Sequence, residues 1–184
     1  SEPELVTPVA LAADRAGRLF VAETHTHARN ARYDGPEGDR ILVYQDTTGD
    51  GQLDDSRVYA EGLSNVLSLA FSSDQTLYVL QMKSGLILRD EDGDGVCETR
   101  KEVLSIETDN NNHHGVFLAM ALDHQDRMHV TLGNIGGNAY TIRGSDGSEI
   151  SGQGDTGLII RCELDGSAVE RFAHGFWNPC DLKF

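Results

Sequence analysis

An all-β architecture, a β-propeller of four-stranded antiparallel blades, is what this sequence predicts, and three observations predict it. Residues 9–21 hold an apolar run, an Asp/Gly turn and a second apolar run, and this pattern recurs at 67–79 and 118–130 with Leu19, Leu77 and Met128 in register. Each copy is followed by a second hairpin, so that one unit holds two hairpins, as a propeller blade does. No apolar stripe of helical period competes anywhere along the chain.

The first unit opens with the hairpin at 9–21 and continues with Ile41-Leu42-Val43-Tyr44 and Arg57-Val58-Tyr59, β-branched and aromatic runs that read as strands. The second repeats the plan with a hairpin at 67–79, then Leu86-Ile87-Leu88 and Arg100-Lys101-Glu102-Val103-Leu104. The third has its first hairpin at 118–130 and its second at 158–172, turning on Asp165-Gly166. Between these two lie seven glycines from Gly133 to Gly154, with Gly157 an eighth, and the stretch reads as one long loop. A fourth copy begins at Asp181-Leu182-Lys183-Phe184 and stops mid-strand. The copies start near residues 11, 69, 120 and 182, separations of 58, 51 and 62 residues. Three units cannot close a ring that typically takes four to eight, and an open array leaves strand edges unpaired. The expectation is a single domain over residues 1–184 that forms the N-terminal part of a longer propeller, completed by further chain or by another subunit.

Two hairpin tips carry chemistry. Residues 90–98, Asp-Glu-Asp-Gly-Asp-Gly-Val-Cys-Glu, and 46–54, Asp-Thr-Thr-Gly-Asp-Gly-Gln-Leu-Asp, place oxygen-bearing side chains at alternate positions around a glycine that turns the backbone. Calcium needs six to eight converging oxygens, and side chains two apart on a tight loop supply them. The candidate ligands are Asp90, Asp92, Asp94 and Glu98 with the main chain of Val96, and Asp46, Thr48, Asp50 and Asp54 with Gln52. The flanks are strands and Arg57 and Lys101 stand where an EF-hand has its bidentate glutamate, so these are metal-binding hairpins and not EF-hands. A plain solvated turn uses the same Asp and Gly residues.

The formal net charge of −15, with 15 scattered Lys and Arg, argues against nucleic acid or an anionic membrane as partner. No apolar run is long enough to span a membrane, and Ser1 reads as a mature start with no leader before it. Calcium loops place the chain where free calcium is abundant, in the periplasm or outside the cell. Cys97, Cys162 and Cys180 lack zinc or haem-attachment spacing, and a disulfide between Cys162 and Cys180 is the pairing to expect if one forms. His25 and His27 alternate along the chain and read as exposed loop histidines, with half of a metal site as the other account. Dinucleotide, P-loop and serine-hydrolase motifs are absent.

A family resemblance rests on the ordered succession of Gly17-Arg18-Leu19-Phe20-Val21-Ala22-Glu23, the acidic hairpin, Asn112-His113-His114-Gly115, Leu132-Gly133-Asn134, Gly157-Leu158-Ile159-Ile160-Arg161 and Ala173-His174-Gly175-Phe176-Trp177-Asn178-Pro179. In these the chain resembles the soluble quinoprotein sugar dehydrogenases, and more closely the membrane-bound dehydrogenase propellers that precede a c-type haem domain. The resemblance implies a six-bladed ring with pyrroloquinoline quinone (PQQ) and calcium at the channel mouth, a sugar or alcohol substrate, and a c-type cytochrome as electron acceptor. It places the general base on His113, with His114 beside it, and cofactor contacts on Trp177, Asn178, Asn134 and Glu23. An imidazole of near-neutral pKa suits that base. Trp177 stands where the family has an arginine, so stacking replaces charge pairing there. Two further readings stay open: a calcium-stiffened propeller acting as an interaction subunit of a redox assembly, and a propeller lactonase with a tunnel calcium on Glu23, Asn134 and Asn178.

Overall fold

The computed structural model describes residues 6–27, 29, 31–110, 114–154 and 156–184, and among them the chain forms 14 strands and no helix. Blade 1 pairs β1 (Pro8–Ala13), β2 (Leu19–Glu23), β3 (Asp39–Gln45) and β4 (Asp55–Leu63) antiparallel in that order. Blade 2 does the same with β5 (Val66–Phe71), β6 (Leu77–Gln81), β7 (Ser84–Arg89) and β8 (Thr99–Thr108). Blade 3 begins with β9 (Phe117–Leu122) and β10 (Met128–Leu132). The chain then leaves it for a hairpin of β11 (Ala139–Gly144) and β12 (Glu149–Gln153) and returns through β13 (Gly157–Cys162) and β14 (Glu170–Phe176).

The glycine-rich stretch after Gly133 is therefore not one long loop. Its middle part pairs with β8 and widens blade 2 to six strands, in the order β12-β11-β8-β7-β6-β5. Glycine density hides a period-2 pattern: Tyr140 and Ile142 are buried on one face of β11 while Arg143 is exposed. Glycine clusters at the ends and at the Asp146-Gly147 turn, where Gly147 takes φ 81°. Residues 177–184 carry no strand, although Asp181-Leu182-Lys183-Phe184 copies the start of a unit.

The blades stack through their faces, which is where the core lies. Phe20, Ile41, Val66, Leu69, Leu77 and Val79 share one cluster between blades 1 and 2. Tyr78, Leu80, Phe117, Met120, Val130 and Ile160 share the other, between blades 2 and 3. Burying each such large apolar side chain stabilises the fold by about 1.5–3 kcal/mol. Cys162 belongs to the second cluster, Cys180 is exposed, and all three cysteines are free thiols, so the expected disulfide is absent. Burial pushes the Cys162 thiol up to about 12, with Glu163 and Asp165 adding to the effect, and it stays protonated and inert.

Strand direction gives the array two ends. The turns at 14–17, 72–76 and 123–127 and both acidic tips lie at one end. Residues 24–27, 31–38, 109–110, 114–116 and 133–138 lie at the other, together with Trp177 and Asn178 after β14, from which the chain runs back until Phe184 meets His129.

Candidate functional site

Three chain segments meet at the loop end of blade 3: the approach to β9, the exit from β10 and the exit from β14. They enclose a cleft of about 600 Å³ lined by Asn110, His114, Asn134, Ile135, Gly136, Asn138, Trp177 and Asn178. Buried Asn110 ties the first two together, its Nδ2 donating to the carbonyls of Gly115 and Ile135, each at 3.4 Å. Asn178 anchors the third, its Oδ1 accepting the Asn134 N–H at 3.0 Å. Close backbone approach makes this geometry depend on Gly133, where a Cβ would sit 1.7 Å from the His114 carbonyl oxygen.

The cleft thus brings together His114, Asn134, Trp177 and Asn178 of the residues that the sequence singled out. His113 lies outside the described residues, as does Asn112. Trp177 is 74% exposed, so its indole face is open and not a packing surface. Asn110, Ile135, Gly136 and Asn138 were not foreseen, because an Asn beside Gly in a loop looks the same whether it caps a turn or faces a ligand. Among the described lining residues none is Lys, Arg, Asp or Glu, and the chemistry on offer is amide, imidazole and indole.

Glu23 does not line this cleft. Its fully buried carboxylate accepts from Arg40 Nε at 2.5 Å and from the Val6 N–H at 2.6 Å, and His25 Nε2 lies 3.4 Å away. His25 is buried, not exposed as expected, with Nδ1 against the Tyr33 hydroxyl, while His27 is exposed. Fully buried Asp39 accepts the N–H groups of His25, Thr26 and Val66 at 2.6, 2.8 and 2.8 Å and the Thr26 hydroxyl at 2.9 Å. This carboxylate fastens blade 1 to the first residue of blade 2. Of the residues named for a tunnel calcium, Asn134 and Asn178 line this cleft, while Glu23 is held by Arg40 and the Val6 N–H.

At the opposite end, Asp90, Asp92, Asp94 and Glu98 hold ligand oxygens all within 4.8 Å of one another, a group that could supply four of the oxygens a hard cation takes. The loop is preshaped, since Asp90 accepts from the N–H groups of Gly93 and Gly95 at 2.6 and 2.8 Å and Glu98 from that of Glu91 at 2.7 Å. The Val96 N–H donates to Asp94 at 2.8 Å. Residues 46–54 form no such carboxylate group among the described residues. There Asp54 is held by Thr47, through hydroxyl and N–H, which lowers its pKa, and Asp46 is held below its ordinary value by the Gly51 and Gly49 N–H groups. Thr48 contributes a hydroxyl where the second loop has Asp92, and the Gln52 N–H is spent on Asp50 at 2.8 Å.

Comparison with known proteins follows the fold. Residues 1–174 match a family described as a domain of unknown function, DUF7133. Among curated proteins, none matches in sequence. The fold is similar to the PQQ domain of pyranose dehydrogenase from Coprinopsis cinerea, with TM-score 0.55 and 12% identity over 78% of this chain and 34% of that one. It is similar to the calcium structure of Carbohydrate-Active Enzymes Family AA12 from Trichoderma reesei, with TM-score 0.54 and 15% identity over 89% and 37%. The gluconolactonase XC5397 from Xanthomonas campestris gives TM-score 0.50 and 16% identity over 93% and 58%. The chain spans about a third of the length of the first two, and at such identities the likeness establishes the propeller fold.

Proposed function

This chain belongs to the DUF7133 family, and we propose that it builds one wall of an extracytoplasmic site for a neutral sugar or sugar-derived alcohol, with His114 as the base that takes a proton from a ligand hydroxyl. The observation that carries this reading is the cleft in which His114, Trp177 and the amides of Asn110, Asn134, Asn138 and Asn178 converge. Amide groups both donate and accept, as vicinal hydroxyls require. An open indole face offers the apolar side of a sugar ring a surface to pack on. The pyranose-oxidising, AA12 and gluconolactonase neighbours support a carbohydrate ligand by analogy of fold.

PQQ, which the resemblance implies, is a planar quinone carrying three carboxylates. Trp177 presents a plane to stack on, but no Lys or Arg lines the cleft among the described residues, so those carboxylates find no charge partner on this wall. The residues present fit a neutral polyol and do not fit PQQ. Electron transfer to a c-type cytochrome belongs to that same quinone chemistry and gains no support from this wall. Calcium is different: we assign it to Asp90, Asp92, Asp94 and Glu98, where it would neutralise the acidic tip and stiffen the hairpin.

Trp177 is the chain's one tryptophan, so its emission reports on the cleft alone. Titration with neutral monosaccharides and sugar alcohols should give a saturable change, and titration with PQQ none. Trp177→Ala should abolish sugar binding in calorimetry while moving stability by no more than about 0.5 kcal/mol, since the side chain is exposed. If no sugar or sugar alcohol changes the emission, the interaction-subunit reading replaces this one.

A further inference from the structure

We propose that the sugar site continues past Asn110 into a second cleft, and that its ligand is an oligosaccharide bearing an anionic group, a hexuronate carboxylate or a sulfate ester, held by Lys83. The inference rests on the sugar reading above and extends it from one ring to a chain of rings. The second cleft, of about 420 Å³, lies at the same end of the array and has Thr26, Asn65, Gln81, Lys83 and Ser84 in its wall. Asn110 lines both clefts, so the approach to β9 forms the border between them. Both volumes fall within the range of about 300–1,000 Å³ that small-molecule sites take. The wall belongs to the interior of the array, since it comes from the stretch after β2, the β4–β5 link, the β6–β7 turn and the approach to β9.

Hydrogen bonds behind the wall fix it in place. Asp39 holds the Thr26 hydroxyl at 2.9 Å, and that hydroxyl accepts the Asn65 N–H at 2.7 Å. Gln81 Oε1 accepts the Ser64 N–H at 2.7 Å, while Gln81 Nε2 donates to Ser84 Oγ at 3.0 Å. The β6–β7 turn is tied on both sides. The Met82 carbonyl accepts the Phe117 N–H at 3.1 Å, and the Lys83 carbonyl accepts the Ile106 N–H at 2.9 Å. Hydroxyls and amides at fixed positions donate and accept, as sugar hydroxyls require. Such preorganisation reduces the ordering cost of binding.

Lys83 supplies what the first cleft lacks. No charged side chain lines that cleft among the described residues, whereas the second has one ammonium and no carboxylate. Arg18, Arg40, Arg127, Arg143 and Arg161 each pair with a carboxylate, and Lys83 pairs with none among the described residues. Lys83 is exposed, and its Nζ reaches the Thr108 carbonyl oxygen at 3.5 Å, long for a hydrogen bond. An ammonium offers three donors, so this one has capacity left for a ligand. In a chain of net charge −15, a cation without a carboxylate, set among hydroxyls and amides, favours a sugar that brings its own anion.

The test is calorimetry of the whole chain with two pairs of probes. One pair is an aldobiouronic acid, a glucuronate linked to a neutral sugar, and its methyl ester; the other is a sulfated disaccharide and its unsulfated parent. In at least one pair the anionic member should bind about threefold more tightly at low ionic strength, the size of a solvent-exposed ion pair, and added salt should shrink the difference. The pair that shows it tells carboxylate from sulfate. Lys83→Gln should remove the preference, and Lys83→Arg, which keeps the charge, should retain it. Equal affinities within both pairs, or a preference that survives Lys83→Gln, overturns the inference. Neutral monosaccharides titrated in parallel separate it from the reading it rests on. If they bind and neither anion adds affinity, this inference alone fails; if no sugar binds, neutral or anionic, both fail.

Discussion

Asp39 shows most directly how a single residue positions its surroundings. Its carboxylate gathers main-chain N–H groups from two stretches far apart in sequence, 25–26 and 66, and no charged partner stands among the groups that bond it. Removing it strands several buried donors, each of which costs about 1–3 kcal/mol when left unmade. Asp39→Ala should therefore destabilise the fold by about 3 kcal/mol or more, read from chemical denaturation, and Asp39→Asn should lose less because one acceptor oxygen remains. Trp177 behaves in the opposite way: at 74% exposed it spends little on stability and leaves its surface for a ligand. The family resemblance marked Trp177, and His114 as the neighbour of His113, but the sequence left Asp39 unremarked, because an Asp at a strand start signals nothing until its donors are seen.

At the scale of elements, the β11–β12 hairpin is held by its turn. Asp146 accepts the hydroxyl and N–H of Ser148 at 2.6 and 2.9 Å, and its other oxygen accepts the Ala168 N–H at 3.1 Å, tying the hairpin to blade 3. The Ser148 hydroxyl, the Ser148 N–H and the Ala168 N–H together push its pKa down to about 2. An unfolded Asp titrates near ~3.9, so the folded state binds its proton later. The contribution is full above that value and is lost as pH falls through about 2. Hydrogen exchange of β11 and β12 should accelerate across this window, and Asp146→Asn should show the faster exchange already at neutral pH. The β7–β8 hairpin is governed by its tip in a different way. Calcium should raise the melting temperature, Glu98→Gln should reduce that rise, and Asp54→Asn should not, because the carboxylates converge only in the second loop among the described residues.

At the scale of the whole molecule, the strand directions put the acidic tips at one end and the cleft at the other. A structural calcium at 90–98 has no direct contact with a sugar beside Trp177, and well-separated sites act independently. Sugar affinity measured with calcium and with a chelator should therefore agree within about 0.5 kcal/mol; a larger coupling would make the metal part of the ligand site. What the sequence determined by itself was the repeat, because period-2 patterning and Asp/Gly turns are local signals that survive without their partners. It determined both second hairpins of blades 1 and 2, their acidic tips and the register of Leu19, Leu77 and Met128. The tertiary structure decided what depends on distant chain. It sent β11 and β12 to the edge of β8 when glycine density read as loop, placed Cys162 in the core away from Cys180, and buried His25. It also moved Glu23 out of the group that holds His114, Asn134, Trp177 and Asn178. Pairing across blades is a long-range choice made by burial and by the donors a carboxylate finds, and neither is written in the residues adjacent to it.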